Sequence, residues 1–225
     1  MNSFDLQYSH TSFENKVGAS ATVHDATYLF NGREQSVVFK RFNPEMLQDP
    51  RDQAAIMSEV QLMHRVDMSP FVVSLLGVAA DPRAIDKNGA KLGVGLMLEK
   101  ASEGSAYDVL RREPRLPWGV RVSLLLDAAR GMLALHGHKT PLIHRDLKSH
   151  NIFIQESSYG SYVSKIGDWG SARAVALADS KNKNMTRGIG TACWLAPEVI
   201  NSGHSSMGSD VYSYGIILWE VMTRK

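Results

Sequence analysis

His144-Arg145-Asp146-Leu147-Lys148-Ser149-His150-Asn151-Ile152-Phe153-Ile154 packs an acid, three kinds of base and an amide into eight residues, then turns apolar. Alone, so polar a run reads as a surface turn. Its weight comes from the segments that follow in order. Lys165-Ile166-Gly167-Asp168-Trp169-Gly170 is next, then Thr191-Ala192-Cys193-Trp194-Leu195-Ala196-Pro197-Glu198, then Ser209-Asp210-Val211-Tyr212-Ser213-Tyr214-Gly215. Upstream, Val37-Val38-Phe39-Lys40 ends a strand-like run, and Met57-Ser58-Glu59-Val60 lies in a helix-patterned one. Asp-x-Gly by itself is a common turn; specified residues recurring at set offsets are far more informative.

The texture around these segments changes once. Residues 1–12 are polar and unpatterned, a lead-in. From residue 13 to 42, β-branched and aromatic runs predict strands, with Asn31-Gly32 joining two of them in a hairpin or short loop. Ile56, Val60 and Met63 recur at helical spacing and predict a helix over 51–65, with Glu59 on a neighbouring stripe. Strands are expected over 72–78 and 92–98, and the polar insert 81–91 reads as a surface loop. Beyond Glu99, residues 118–136 predict an amphipathic helix burying Val122, Leu125, Leu126, Ala129, Met132 and Leu133. Ser209 or Asp210 is expected to cap another helix, whose face includes Val211, Tyr214, Leu218, Val221 and Met222. A sheet-rich first part and a helix-rich second part make the fold α+β, two lobes joined near residues 99–104.

The 225 residues are 44% hydrophobic, and 25 basic against 23 acidic residues leave a net charge of +2. That length suits one large domain or two small lobes. The small excess of charge gives no electrostatic footprint for nucleic acid or an anionic membrane. Cys193, the single cysteine, can form neither an intrachain disulfide nor a cysteine metal site alone, which favours a reducing, intracellular setting. Met1-Asn2-Ser3-Phe4-Asp5 has no signal-peptide pattern, and Asn2 is not the glycine that myristoylation needs. The apolar segments 124–135 and 211–222 are broken by Asp127, Arg130 and Glu220, too short and too interrupted to span a bilayer. A soluble, cytoplasmic protein is the expectation. His136 and His138 show no metal-ligand spacing and read as structural or exposed.

Segment 144–154 resembles the catalytic loop of the eukaryotic-type protein kinase family, and the other quoted segments match further motifs of that family in order. The resemblance implies a bilobal kinase-like fold. Its N-lobe (13–99) would be β-rich with one main helix. A hinge (100–104) would lead to a mainly helical, partial C-lobe (105–225), because the family continues through further helices after Thr223-Arg224-Lys225. It also implies an ATP- and Mg2+-dependent enzyme that transfers the γ-phosphate to serine or threonine hydroxyls of protein substrates. Phosphoryl transfer asks mainly for positioning and charge neutralisation. By resemblance, Asp146 orients the acceptor hydroxyl and takes its proton, Lys148 meets the phosphoryl group, and Arg145 pairs with a phosphorylated activation segment. Asn151 and Asp168 hold the metal. Lys40 grips the α- and β-phosphates and pairs with Glu59. Val17, Gly18, Val23, Val38, Leu98 (the gatekeeper), Glu99, Ala101 and Phe153 complete the nucleotide site.

Three features depart from the family pattern. Trp169 stands where Phe is usual, Val38 replaces a small alanine, and only Gly18 survives of the glycine-rich loop, with Lys16 and Ala21 at the other glycine positions. Since glycines let backbone approach phosphates closely, that loop should clamp ATP less well. Lys148 two residues after Asp146, and Thr191 before Cys193-Trp194, resemble the serine/threonine pattern, and the phrases from Gly190 to Glu198 and from Ser209 to Ile216 look most like the tyrosine-kinase-like group of serine/threonine kinases. Thr186 and Ser180 are candidate phosphorylation sites that would dock on Arg145. By analogy, Met63, Leu75, His144 and Trp169 would form a regulatory stack, and Val23, Val38 and Phe153 would sandwich adenine. The second reading is a pseudokinase or nucleotide-binding scaffold; the third is a fragment with no independent function.

Overall fold

The computed structural model describes residues 6–7, 16–17, 21–30, 33–66, 69–85, 91–157, 160–168, 172–174 and 191–224. The chain divides into two compact units. Residues 1–60 and 74–100 form the first, and residues 61–73 and 101–225 the second.

The first unit is built on a sheet of strands β1 (Leu6–Gln7), β2 (Lys16–Val17), β3 (Ala21–Phe30), β4 (Arg33–Phe42), β5 (Leu75–Ile85) and β6 (Lys91–Glu99). The order is β1-β3-β4-β6-β5, with β2 also paired to β3. β3 and β4 pair in unbroken register from Ala21↔Phe42 to Phe30↔Arg33, the geometry expected of a hairpin. The Asn31-Gly32 pair lies outside the described residues. Along β4 the pleat sends Val37 and Phe39 into a core with Ala26, Ala79 and Met97, while Val38 and Lys40 face the other way.

Two strand expectations need correction. β5 starts at Leu75, and Val72 makes only an isolated parallel bridge to Ile166 in the second unit. At its far end β5 runs on to Ile85, so residues 81–85 are strand, paired with β6 through an irregular register. A polar composition does not prevent a strand there, because pairing with β6 engages the backbone. Helix α1 (Pro50–Val66) begins where Asp49 accepts the Arg51 backbone N–H at 2.8 Å, and Pro50 occupies the first turn, where its missing N–H costs nothing.

The second unit takes up the end of α1 and holds β7 (Gly104–Ser105), β8 (Leu142–Ile143), β9 (Ile152–Glu156), β10 (Tyr162–Ile166) and β11 (Arg173–Ala174). Its helices are α2 (Ala106–Arg112), α3 (Trp118–His136), α4 (Pro197–Ser202) and α5 (Met207–Thr223). A Ser105–Asp108 capping box starts α2. In α4, Pro197 again fills the first turn, and Gly203 closes the helix at φ 72°, left-handed backbone that glycine adopts freely.

Both long helices bury faces other than those expected. α3 buries Leu124, Leu125, Asp127, Ala128, Gly131, Met132 and Leu135, while Val122, Leu126 and Leu133 are exposed. Of the six residues expected inside, only Leu125 and Met132 are buried. The reason is steric. A Cβ on Gly131 would lie 2.6 Å from the Phe71 carbonyl oxygen and 3.0 Å from Ile166, so the smallest residues mark the tightest contact. α5 begins earlier than expected, capped by Ser206 in a capping box with Ser209. Its buried residues are Ser209, Asp210, Ser213, Ile217, Glu220 and Val221, with Val211 and Met222 exposed. No helix among the described residues is long and apolar enough to cross a membrane.

Candidate active site

In the first unit, central strand β4 presents Lys40 between Val23 of β3 and Leu96 of β6. Lys40 Nζ donates to Glu59 Oε1 of α1 at 2.7 Å, with side chains only 12% and 9% exposed. So enclosed a pair is held in one geometry, unlike surface ion pairs. Val38, on the same face as Lys40, lies directly across from Leu98. Glu99 donates its backbone N–H to the Ser74 carbonyl at 3.1 Å and accepts the Ser74 N–H on its carboxylate at 3.1 Å, which fixes the end of β6.

In the second unit, the residues singled out in segment 144–154 converge around two carboxylates. Asp210, 2% exposed on α5, accepts the backbone N–H of Arg145 on Oδ1 at 2.9 Å and that of His144 on Oδ2 at 2.8 Å. His136 Nε2, from the end of α3, lies 2.9 Å from Oδ2. These bonds hold Arg145 at φ 72°, a left-handed conformation uncommon for a non-glycine residue.

The second carboxylate is Asp146. Lys148 Nζ donates to its Oδ2 at 2.8 Å, and Asn151 Nδ2 donates both to the same oxygen at 3.2 Å and to the Asp146 carbonyl at 2.7 Å. With its amide nitrogen so engaged, Asn151 turns its Oδ1 away from Asp146. His144 Nδ1 accepts the Asp146 N–H at 3.4 Å, which leaves Nε2 to donate to the Gly167 carbonyl at 2.9 Å.

Gly167 also donates its N–H to the Asn151 carbonyl at 3.0 Å, so the residue before Asp168 is stitched to the loop on both sides. A Cβ at Gly167 would meet Val73 at 2.8 Å and the Phe153 ring at 2.9 Å, so glycine is required there. Asp168 itself has φ 62° and is exposed. Asn151 and Asp168 thus offer hard oxygen donors from adjoining backbone. Such a donor set suits Mg2+, which takes one or two carboxylates and completes its shell with water and phosphate oxygens. Among the described residues no group of three or more His, Cys, Asp or Glu is gathered as a metal cage.

The remaining expectations divide by position. Met63 and His144 are buried at 2% and 1%, while Trp169 lies outside the described residues. Val17 pairs with Thr22 between β2 and β3. Gly18, Ser180 and Thr186 lie outside the described residues. Val23 is exposed, and Ala101 and Phe153 are partly covered.

The pattern missed several residues that organise this site: His136, Ser149, Ser213 and Glu220. Glu220 gave the one usable signal, an acid in the otherwise apolar second half of α5. Its side chain is buried, and that burial raises its carboxyl above the ordinary range, opposed by hydrogen bonds from Ser149 and Trp194 and by the Arg111 charge. Asp127 on α3 is likewise raised by burial, against bonds from the Ser164 N–H and Arg130.

Residues 13–225 match the family model described as protein tyrosine and serine/threonine kinase. Three relatives illustrate the similarity. Serine/threonine-protein kinase CTR1 of Arabidopsis thaliana is 30% identical over 225 residues, 97% of this chain and 25% of the relative. Receptor-interacting serine/threonine-protein kinase 2 of Bos taurus is 29% identical over 216 residues, 92% of this chain and 37% of the relative. The Dictyostelium discoideum protein drkA is 33% identical over 168 residues, 74% of this chain and 23% of the relative. The chain therefore spans between 23% and 37% of the length of these relatives.

Proposed function

The chain belongs to the protein tyrosine and serine/threonine kinase family, and on that premise we propose that it is an ATP-dependent protein serine/threonine kinase. The observation that carries this reading is the setting of Asp146, whose carboxylate is bonded by Lys148 at 2.8 Å and by Asn151 at 3.2 Å. In that setting Asp146 orients an acceptor hydroxyl and takes its proton as the phosphoryl group transfers. Lys148 keeps a point charge beside the reacting oxygens. Asp210 fixes the backbone just before Asp146, so the acid is pre-positioned. Arg145 supplies a guanidinium for a phosphorylated residue of the segment that holds Ser180 and Thr186.

Asn151 and Asp168 would hold Mg2+, which supplies neutralisation of phosphate charge when bound. Lys40, steadied by Glu59, grips the α- and β-phosphates. Val17, Gly18, Val23, Val38 and Leu98 are the nucleotide contacts that the family resemblance implies for the first unit, with the backbone of Glu99 at the adenine edge. Because the Glu99 N–H is spent on Ser74, its contribution there is the carbonyl. Residues 13–99, 100–104 and 105–225 correspond to N-lobe, hinge and C-lobe. The phrase at 190–198 supports placement in the tyrosine-kinase-like group, and the lone thiol of Cys193, which is exposed, supports a reducing compartment.

The depleted glycine loop, with Lys16 and Val17 paired to β3 and Ala21 already in strand, favours a second reading as a nucleotide-binding scaffold. Phosphoamino-acid analysis of casein incubated with the chain and γ-labelled Mg-ATP tests the first. Phosphoserine or phosphothreonine supports it, and phosphotyrosine alone overturns the acceptor class. A melting temperature raised by Mg-ATP without any transfer selects the scaffold.

A further inference from the structure

Helix α2 ends in two arginines, and they are differently employed. Arg112 donates to Glu103 at 2.7 Å and lies 3.6 Å from Glu113. Arg111 lies over the Tyr107 ring, its Cζ 4.1 Å from the centroid, and no carboxylate pairs with it among the described residues. An arginine in the last turn of a helix commonly serves the open carbonyls there. In α2 that work falls to Arg224, which donates to the carbonyls of Leu110 and Glu113. The one acid of α2, Asp108, is used in the capping box at its start. The Arg111 charge bears on buried Glu220 as the weakest of the influences on that carboxyl, without an ion pair between them. Arg111 is thus an exposed cation with no partner among the described residues except an aromatic face.

Its position is fixed by what lies under Tyr107. The His150 ring stacks on Tyr107 with centroids 3.8 Å apart and planes 23° from parallel. Two groups so close to one ring centre cannot share a face, so Tyr107 is sandwiched between Arg111 and His150. His150 immediately precedes Asn151 in the loop that carries Asp146. The Trp194 indole braces its ring edge-on at 5.5 Å. The guanidinium is therefore stacked, through one tyrosine ring, on the catalytic loop. Stacking also removes much of the side-chain freedom that an exposed arginine otherwise gives up on binding, so the charge is pre-organised.

Two rings separate Arg111 from the loop backbone. That is too far for the reacting phosphoryl group, whose charge Lys148 meets from beside Asp146. It is within reach of a side chain a few residues along an extended peptide, which advances about 3.3 Å per residue. We propose that Arg111 is a substrate-specificity residue: it reads a carboxylate side chain a few residues from the acceptor hydroxyl, which makes acidic segments of proteins the favoured substrate. The inference rests on the kinase reading and names the substrate class for that same site.

The test moves a glutamate, and in parallel a glutamine or a lysine, through each position of an otherwise uncharged peptide with one central serine. It reads kcat/KM for wild type, Arg111→Met and Arg111→Glu, with the melting temperature of each. Met keeps an apolar chain over Tyr107 and removes the charge. Wild type is expected to favour glutamate over glutamine about 5- to 20-fold at one position or two neighbouring ones, mainly through KM and less so at high salt. In Arg111→Met that preference falls below about twofold, and in Arg111→Glu lysine at the same position outdoes glutamate. A merely structural role lowers the rate on all peptides alike and leaves the preference intact, and that result overturns the proposal. So does a wild-type chain indifferent to glutamate at every position. Absence of transfer to every peptide and to casein by folded wild-type chain overturns the kinase reading and this proposal with it, whereas transfer without a glutamate preference removes this proposal alone.

Discussion

Replacing Asp210 by asparagine should both loosen the second unit and slow transfer. The Asp210 carboxylate accepts three hydrogen bonds at 2.8, 2.9 and 2.9 Å, two of them from successive backbone N–H groups of the catalytic loop. Asparagine has one acceptor oxygen, so in either orientation its NH2 points at a backbone N–H. One charge-assisted bond is lost, worth about 1.5–3 kcal/mol, and a buried donor is left facing another donor. Arg145, held at φ 72° by this anchor, then relaxes from a conformation that costs about 1–3 kcal/mol, which returns part of the loss. The net destabilisation is about 2–4 kcal/mol, or a melting temperature lower by about 5–15 °C for a chain of this size. Relaxation of Arg145 carries Asp146 with it, and a displacement near 1 Å lowers the rate about 100-fold. Scanning calorimetry, with transfer assayed well below the variant's transition, reads both effects. An Asp210→Asn chain that melts within about 1 °C of wild type and keeps its kcat would refute the reasoning.

Other substitutions probe neighbouring parts of the account. Lys40→Met leaves the enclosed Glu59 carboxylate without this cation and should cost about 3 kcal/mol. Adding Glu59→Gln should recover part of that loss in a double-mutant cycle read by denaturant melts. Gly167→Ala forces a methyl group against Val73 and the Phe153 ring, and should cost about 1–3 kcal/mol while lowering transfer, since Asp168 is the next residue. Burial raises the carboxyls of Asp127 and Glu220, so just above the ordinary carboxylate range the folded chain binds more protons than the unfolded one. Their contribution to stability is therefore greatest below that range and is lost as pH rises through the raised values. Glu220→Gln should flatten the dependence of melting temperature on pH across the mildly acid range; an unchanged slope would contradict the assignment.

Residue identity made much of the site legible, because phosphoryl transfer needs particular functional groups at particular offsets. Lys40 pairs with Glu59 across 19 residues of sequence, and Asp146, Lys148 and Asn151 converge within one loop. The β3–β4 pairing was legible from Asn31-Gly32 and the β-branched and aromatic runs on either side of it. The inner face of α5 was not. Hydrophobic periodicity finds faces buried against apolar neighbours, but Asp210, Ser213 and Glu220 are buried against backbone N–H groups, a carbonyl and an indole. A polar face turned inward has the signature of a solvated one. α3 failed for a related reason. Its tightest contact is made at Gly131, near buried Ala128, and a reading weighted toward large side chains assigns the stripe to Leu126 and Leu133 instead. At β5, the polarity of residues 81–85 concealed an edge that is nonetheless paired.

The most direct measurement of the central claim is transfer of the γ-phosphate from labelled Mg-ATP to casein by the wild-type chain and by Asp146→Asn, side by side. The account predicts incorporation by the wild type and a loss of at least about 100-fold in Asp146→Asn, with both proteins melting at similar temperatures. Equal incorporation by the two proteins, or none from a folded wild-type chain that binds Mg-ATP, would contradict it.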